Sequence, residues 1–195
     1  MPRIFLASTA AVYGKLKKCH ETSDTITENV YAKTKLLAER IVLNEPNING
    51  IIGRFSNVYG YGYYDKKTVM SNFAREIIDK KSPIVYGSGT QTRDFIHLND
   101  LVDGIIFLIQ HPDTGGVYNL GGDKTYKVTT AANIINSAAK TKHKIKFNKK
   151  INSGWVEPGK GYKYDISKIQ ALGWKPKVSL KQGCELLLEA IREYD

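Results

Sequence analysis

A hydroxyl, a phenol and an ammonium occur close together near the start of this 195-residue chain. Ser8-Thr9-Ala10-Ala11-Val12-Tyr13-Gly14 comes first, and Tyr31-Ala32-Lys33-Thr34-Lys35 follows. Such groups can move a proton while a hydride leaves or enters an oxygen-bearing carbon. Residues four apart share one face of a helix, so Tyr31 and Lys35 can point into one site. A phenol titrates at about 10 in water, too high for a base at neutral pH, and a neighbouring ammonium favours the phenolate. Thr9, at the end of a strand, would share that proton with a substrate oxygen. The spacing alone carries little weight, because Tyr13/Lys17, Tyr63/Lys67 and Tyr164/Lys168 repeat it. Only Tyr31 falls in a well-formed helical pattern just downstream of the small-residue strand end.

The elements that would position these groups alternate along the chain. Residues 3–8 read as a short buried strand. Residues 27–44 read as a helix, with Tyr31, Lys35 and Ala38 or Glu39 at three- to four-residue steps and Pro46 beyond its end. Residues 48–58 form a second strand carrying Ile51, Ile52 and Phe55, followed by a Gly/Tyr loop over 59–64. A helix over 69–80 presents Phe73, Ile77 and Ile78. Short strands over 83–86 and 94–97 flank the Gly87-Ser88-Gly89 turn. A strongly apolar helix over 99–110 is closed by Pro112, and residues 117–120 form a strand between paired glycines. A helix over 130–140, a strand over 144–147 and a short helix over 167–172 come next. The last helix opens on a capping box, Ser179 to Gln182, and buries Leu180, Cys184, Leu187, Leu188 and Ile191. This order predicts an α/β layer with mostly parallel pairing.

Composition narrows the function classes. A net charge of +10 invites a nucleic-acid reading. In the densest basic stretch, however, Lys142, Lys144 and Lys146 alternate with His143, Ile145 and Phe147, the period of a strand with one wet face. Lysines on such a strand discourage edge-to-edge pairing, and no aromatic stacking platform is interleaved with them. Cys19 and Cys184 cannot build a disulfide framework, which suits a reducing, cytoplasmic compartment. Cys19-His20 lacks a second ligand pair, so no metal site is expected. No apolar stretch reaches membrane-spanning length, and Ser8 and Thr9 interrupt the run from Ile4 to Ala7.

With these residues in view, the chain resembles the NAD-dependent epimerase/dehydratase family, the nucleotide-sugar branch of the extended short-chain dehydrogenase/reductases. The family pattern S-[ST]-A-x-V-Y-G followed by Y-x-x-x-K is met by residues 8–14 and 31–35. Arg54-Phe55-Ser56-Asn57-Val58-Tyr59-Gly60 resembles its R-x-x-N-V-Y-G turn, and Gln91-Thr92-Arg93-Asp94-Phe95-Ile96-His97 its Q-x-R-D-F-I-H segment. Later landmarks at residues 116–121, 165–168 and 173–174 extend the likeness nearly end to end. The resemblance implies the C-terminal part of a Rossmann-like α/β fold plus a small α/β substrate-binding lobe. Residues 1–65 would belong to the Rossmann-like part and 66–195 mainly to the lobe, with 94–121 returning to pack on the former. It implies Thr9, Tyr31 and Lys35 as catalytic residues, and Ser8, Tyr31, Lys35 and Phe55 against NAD. Asn57, Val85, Tyr86 and Arg93 would bind a nucleotide sugar, with Arg93 and Asn57 at the diphosphate. Asn57 as a turn-shaping residue remains an equally simple reading, and Phe55 as a core residue is the simpler one on general grounds.

The pattern also breaks. The family's G-x-x-G-x-x-G loop, which holds a pyrophosphate at a helix N-terminus, occurs nowhere in these residues. Lys160 is the only basic residue of Glu157-Pro158-Gly159-Lys160, where the family commonly places an arginine. Ala10-Ala11 replaces the Asp-Glu of the family's dehydratases, which tilts the reading towards UDP-sugar epimerisation or reduction. The first strand would leave an apolar flank open. Either another chain supplying an NAD-binding half covers it, or the chain is a fragment of a longer reading frame, or the truncated form is marginally stable; a homodimer is the other partner expected. Two readings of other classes stand beside the enzyme: a non-catalytic nucleotide-sugar-binding remnant and, last, a basic nucleic-acid-binding derivative.

Overall fold

The run of apolar residues at the start forms β1 (Arg3–Thr9), followed by a 3-10 turn over Ala10–Tyr13, β2 (Lys18–Cys19), α1 (Val30–Asn44) and β3 (Asn49–Phe55). These belong to a computed structural model that describes residues 1–61, 68–148 and 163–194. Asn29 opens α1, three residues into the expected helix, because its side-chain oxygen accepts the Ala32 N–H at 2.8 Å and satisfies a first-turn donor.

The single strand expected over 48–58 divides at Ser56. The Ser56 N–H donates to the Leu120 carbonyl at 3.0 Å. β3 then ends, and β4 (Asn57–Tyr59) enters a different sheet. The order continues α2 (Val69–Ile78), β5 (Ile84–Tyr86), β6 (Thr92–His97), α3 (Leu98–Gln110), β7 (Gly116–Leu120), β8 (Thr125–Lys127), α4 (Val128–Ala138), β9 (Lys146–Asn148), β10 (Lys163–Tyr164), α5 (Ser167–Ala171) and α6 (Leu180–Tyr194).

The principal sheet has the order β1-β3-β7 and is parallel throughout. Central β3 is buried from Gly50 to Arg54, as a parallel strand covered on both faces must be. One face meets α1, where Val42 packs so closely on Gly50 that a β-carbon there would lie 2.8 Å from Val42 Cγ1. The alternate side chains of β1 point the other way, and Arg3 donates to the His111 carbonyl just beyond α3 at 2.7 Å. Gly53 has no β-carbon to obstruct the rings of Phe5 and Phe55, which stack at 6.2 Å. Among the described residues, β1 pairs with β3 alone.

Two apolar cores result. Ile51, Leu108, Leu120, Ile169 and Trp174 fill the one beside the principal sheet. Phe73, Ala131, Ile135, Cys184 and Leu188 fill the other, between α2, α4 and α6. Cys19 and Cys184 are buried in different cores. The expected capping box is present at α6, with Gln182 N–H donating to Ser179 Oγ at 3.3 Å and Ser179 N–H to Gln182 Oε1 at 3.1 Å.

The smaller sheets are β4-β6-β8, β5-β9 and β10-β2. Of the three alternating lysines only Lys146 lies in a strand. Of the expected loop over 59–64, Tyr59 lies in β4 and residues 62–64 lie outside the described residues, as do residues 157–160. No described helix is long and apolar enough to cross a membrane.

Candidate functional site

Parallel sheets present their ligands at the carboxyl ends of their strands, where the connecting loops leave room for a bound molecule. Thr9 closes β1 at that end. Its hydroxyl oxygen accepts the Ala11 N–H at 3.2 Å and so caps the 3-10 turn, while the hydroxyl proton stays a donor. α1 packs against both β1 and this turn.

Tyr31 lies in the first turn of α1 and is 55% exposed. Lys35, one helical turn further on, is half-buried and donates from Nζ to the Ala7 carbonyl at 3.0 Å. An ammonium has three donors, so this bond seats the side chain and leaves it the means to bind a hydroxylated ligand. Phenol and ammonium therefore share one helix face that is tied to the carboxyl end of β1.

Ser8 has a different setting from Thr9. It is 3% exposed, and its hydroxyl donates to the Glu39 carboxylate. That carboxylate also accepts from Arg54, at 2.7 Å from Nη2 and 3.1 Å from Nε. Arg54 lies opposite Ser8 in the β1–β3 register. Burial works against its guanidinium, but Glu39 and Tyr13 together hold its pKa above the ordinary arginine value. The Tyr13 ring covers Arg54 at 4.8 Å, and its hydroxyl donates to Asn119 Oδ1 at 2.8 Å. Burial pushes the Tyr13 phenol up to about 12, so this tyrosine stays protonated at neutral pH. The Glu39 contribution was not foreseen. Its only trace in the sequence is a carboxylate four residues after Lys35, on the stripe that begins at Tyr31.

The expected diphosphate and base contacts lie on the second sheet and near it. The Asn57 side-chain amide donates to the Asp94 carbonyl at 2.8 Å, bridging β4 to β6, and the residue is otherwise exposed. Arg93 is half-buried on β6, opposite Tyr126 of β8. Its neighbour Asp94 is fully buried and accepts the Gly122 N–H at 2.8 Å. Burial pushes the Asp94 carboxyl up to about 6, against the opposing pull of the Gly122 N–H. Val85 is fully buried in the α2/α4/α6 core, whereas the adjacent Tyr86 is 44% exposed. Phe55 is half-buried against Phe5.

The parallel sheet β1-β3-β7 with helices packed on it defines a Rossmann-like α/β fold. More specifically, the chain belongs to the NAD dependent epimerase/dehydratase family, whose model matches residues 1–121. It is 32% identical to UDP-glucuronic acid decarboxylase 4 of Arabidopsis thaliana, across 98% of this chain and 45% of that protein. It is 30% identical to the human dTDP-D-glucose 4,6-dehydratase, across 98% of this chain and 57% of that protein. Its fold matches UDP-N-acetylglucosamine 4-epimerase from Methanobrevibacter ruminantium M1 with a TM-score of 0.88 at 21% identity, covering all of this chain and 64% of that one. A UDP-glucuronic acid 4-epimerase from Bacillus cereus, solved with UDP-glucuronic acid and NAD, matches with a TM-score of 0.86 at 24% identity, across 99% and 62%. The chain spans about half the length of the curated relatives it matches.

Proposed function

We propose that this chain is the proton-transfer and nucleotide-sugar-binding portion of an NAD-dependent nucleoside-diphosphate-sugar epimerase acting on a UDP-sugar. One observation carries the reading: Tyr31 and Lys35 share a helix face that Lys35 ties to the end of β1, one residue short of Ser8 and two short of Thr9. Residues 1–65 with the 94–121 return would form the cofactor side, and the remainder mainly the substrate lobe.

The residues present fit one end of NAD. The exposed phenol of Tyr31 and the partly used ammonium of Lys35 suit a nicotinamide and its ribose. The pyrophosphate end finds no G-x-x-G-x-x-G cradle in the sequence, so its hold would come from outside these residues. When bound, NAD supplies the hydride acceptor and later the hydride donor. Tyr31 takes the proton of the sugar hydroxyl being oxidised and returns it after the sugar has turned over. Lys35 would hold a ribose hydroxyl with the ammonium donors its bond to Ala7 leaves over. Thr9 donates its hydroxyl proton towards the same sugar oxygen, an orientation its bond from Ala11 leaves open. Arg93 and Asn57 hold the diphosphate, a task for which a guanidinium is well shaped.

Ala10-Ala11 after Thr9 favours epimerisation over water elimination, which needs an acid and a base there. The test is incubation with NAD and UDP-galactose or UDP-glucose, reading the interconverted sugar. With the NAD pyrophosphate held by a complementing segment, turnover should appear and fall about 100- to 10,000-fold in Tyr31→Phe, the usual weight of a positioned proton-transfer group. Turnover unaffected by Tyr31→Phe would remove the proposed base.

The alternative reading is a nucleotide-sugar-binding unit without redox chemistry. Calorimetric titration separates the two. Binding of UDP without binding of NAD supports the second, and binding of NAD by the chain alone contradicts it.

A further inference from the structure

The buried ion pair behind the catalytic face of α1 has no part in the chemistry proposed so far. Both Glu39 oxygens are engaged by Ser8 and Arg54, and three elements meet in that contact: α1, β1 and β3. Glu39 is 1% exposed and Arg54 4%.

Stability alone is a poor reason for such a pair. Two charges taken out of water recover little net free energy, and well-packed apolar residues commonly do as well. Arg54 Nη1, moreover, is buried with no hydrogen-bond partner among the described residues, a cost that a purely structural contact would avoid. What a directional, fully engaged carboxylate provides is a unique setting. Tyr31, Lys35 and Glu39 follow one another at four-residue steps along α1. An apolar contact would tolerate small slides and rotations of the helix, whereas a slip of one residue moves it about 1.5 Å and turns it about 100°. The Lys35 bond to Ala7 and the Glu39 bond to Ser8 are consecutive along both α1 and β1, so they lock helix to strand at two points one turn apart.

We propose that Glu39 is a positioning residue: through Arg54 and Ser8 it fixes the axial and rotational seat of α1 and so aims Tyr31 and Lys35 at the carboxyl end of β1. This rests on the roles given to Tyr31 and Lys35 above. It assigns Ser8 to the same device, as the strand's contact with the clamp. Arg54, stacked under Tyr13 and held at its own carbonyl by the Tyr164 hydroxyl at 2.6 Å, is the rigid side of the clamp.

The experiment compares Glu39→Gln with the paired variant Glu39→Leu/Arg54→Met. Glu39→Gln leaves a buried guanidinium uncompensated and lowers stability outright. The pair removes both charges at similar volume. Urea unfolding reads stability, and nuclear Overhauser cross-peaks from the Lys35 ε-methylene to the Ala7 and Ser8 backbone read the seat of the helix, with no substrate or cofactor present. The pair should regain the wild-type urea midpoint yet lose those cross-peaks, and turnover of the UDP-sugar should fall roughly ten- to a hundredfold with KM unchanged. Cross-peaks of wild-type intensity in the pair would overturn the proposal. A pair that unfolds as readily as Glu39→Gln would overturn it too, by making the contact a folding element. Because the cross-peaks are read without ligand, absence of turnover in the wild type sinks the enzymatic reading and leaves this one to be judged by the helix seat.

Discussion

Asp94 offers a quantitative handle on the segment that also carries Arg93. It is fully buried on β6, with one oxygen on the Gly122 N–H and, among the described residues, no partner for the other. Burial raises its carboxyl from 3.8 to about 6, so the native protein binds that proton more tightly than the unfolded chain. Stability from this group is therefore full below about pH 4 and is lost as pH rises through about 6. A shift of about two units corresponds to about 3 kcal/mol. Asp94→Asn keeps an acceptor for Gly122 and abolishes the charge. Against the 3 kcal/mol relieved at pH 8 stands about 1 kcal/mol for weakening the bond to Gly122, leaving the variant more stable by about 1–2 kcal/mol. Near pH 4 the advantage should vanish or reverse. Urea unfolding of both proteins at pH 4.5, 6 and 8, followed by tryptophan fluorescence, reads this difference, and the other carboxylates cancel in the comparison. In thermal melts at pH 8 the gain corresponds to a few degrees, on the scale of about 2–4 °C per kcal/mol for a chain of this size. A difference that does not change with pH, or a variant less stable at pH 8, would refute the reasoning by showing that the native protein stabilises the ionised carboxylate.

Three further outcomes follow from the site and the packing. Arg93→Ala should weaken UDP binding by calorimetry about 10- to 100-fold, the scale of a charge-assisted phosphate contact, with the circular dichroism spectrum unchanged; unaltered affinity would remove Arg93 from the diphosphate. Thr9→Ala should depress UDP-sugar turnover while Thr9→Ser retains most of it, because serine keeps both the donor and the turn-capping oxygen; equal loss in both would point to the methyl group instead. Gly183→Ala should lower stability by about 1–3 kcal/mol in urea unfolding, since a β-carbon there collides with the buried Tyr59 hydroxyl; an unchanged midpoint would show that Tyr59 moves freely.

Elements with a strong local signature were legible in the sequence. The apolar stripes of α2 and α6, the Ser179/Gln182 cap and the alternation of strands and helices all depend on near neighbours along the chain. What escaped was decided elsewhere in the molecule. β3 and β4 read as one strand because nothing in Phe55-Ser56-Asn57 announces that Ser56 will bond Leu120, a partner that exists only once β7 has docked. β2 and β10 are two residues each, and their pairing joins Lys18 to Lys163, too distant and too short for any periodic signal. In the candidate site, the shared helix stripe of Tyr31 and Lys35 and the place of Thr9 at a strand end follow from local spacing, whereas the binding of Glu39 to Arg54 and Ser8 depends on the β1–β3 register. Burial at Val85 and exposure at Tyr86 likewise depend on the packing of β5 rather than on the local sequence.

The central claim is that one ligand meets Thr9, Tyr31 and Arg93 together. Titration of the isotope-labelled chain with UDP-glucose, following the Thr9 methyl, the Tyr31 ring and the Arg93 side chain by nuclear magnetic resonance, tests it most directly. All three signals should move along one saturating curve with a single dissociation constant. A Tyr31 ring and Thr9 methyl that stay still while the ligand binds, or a response confined to the lysines around β9, would contradict it.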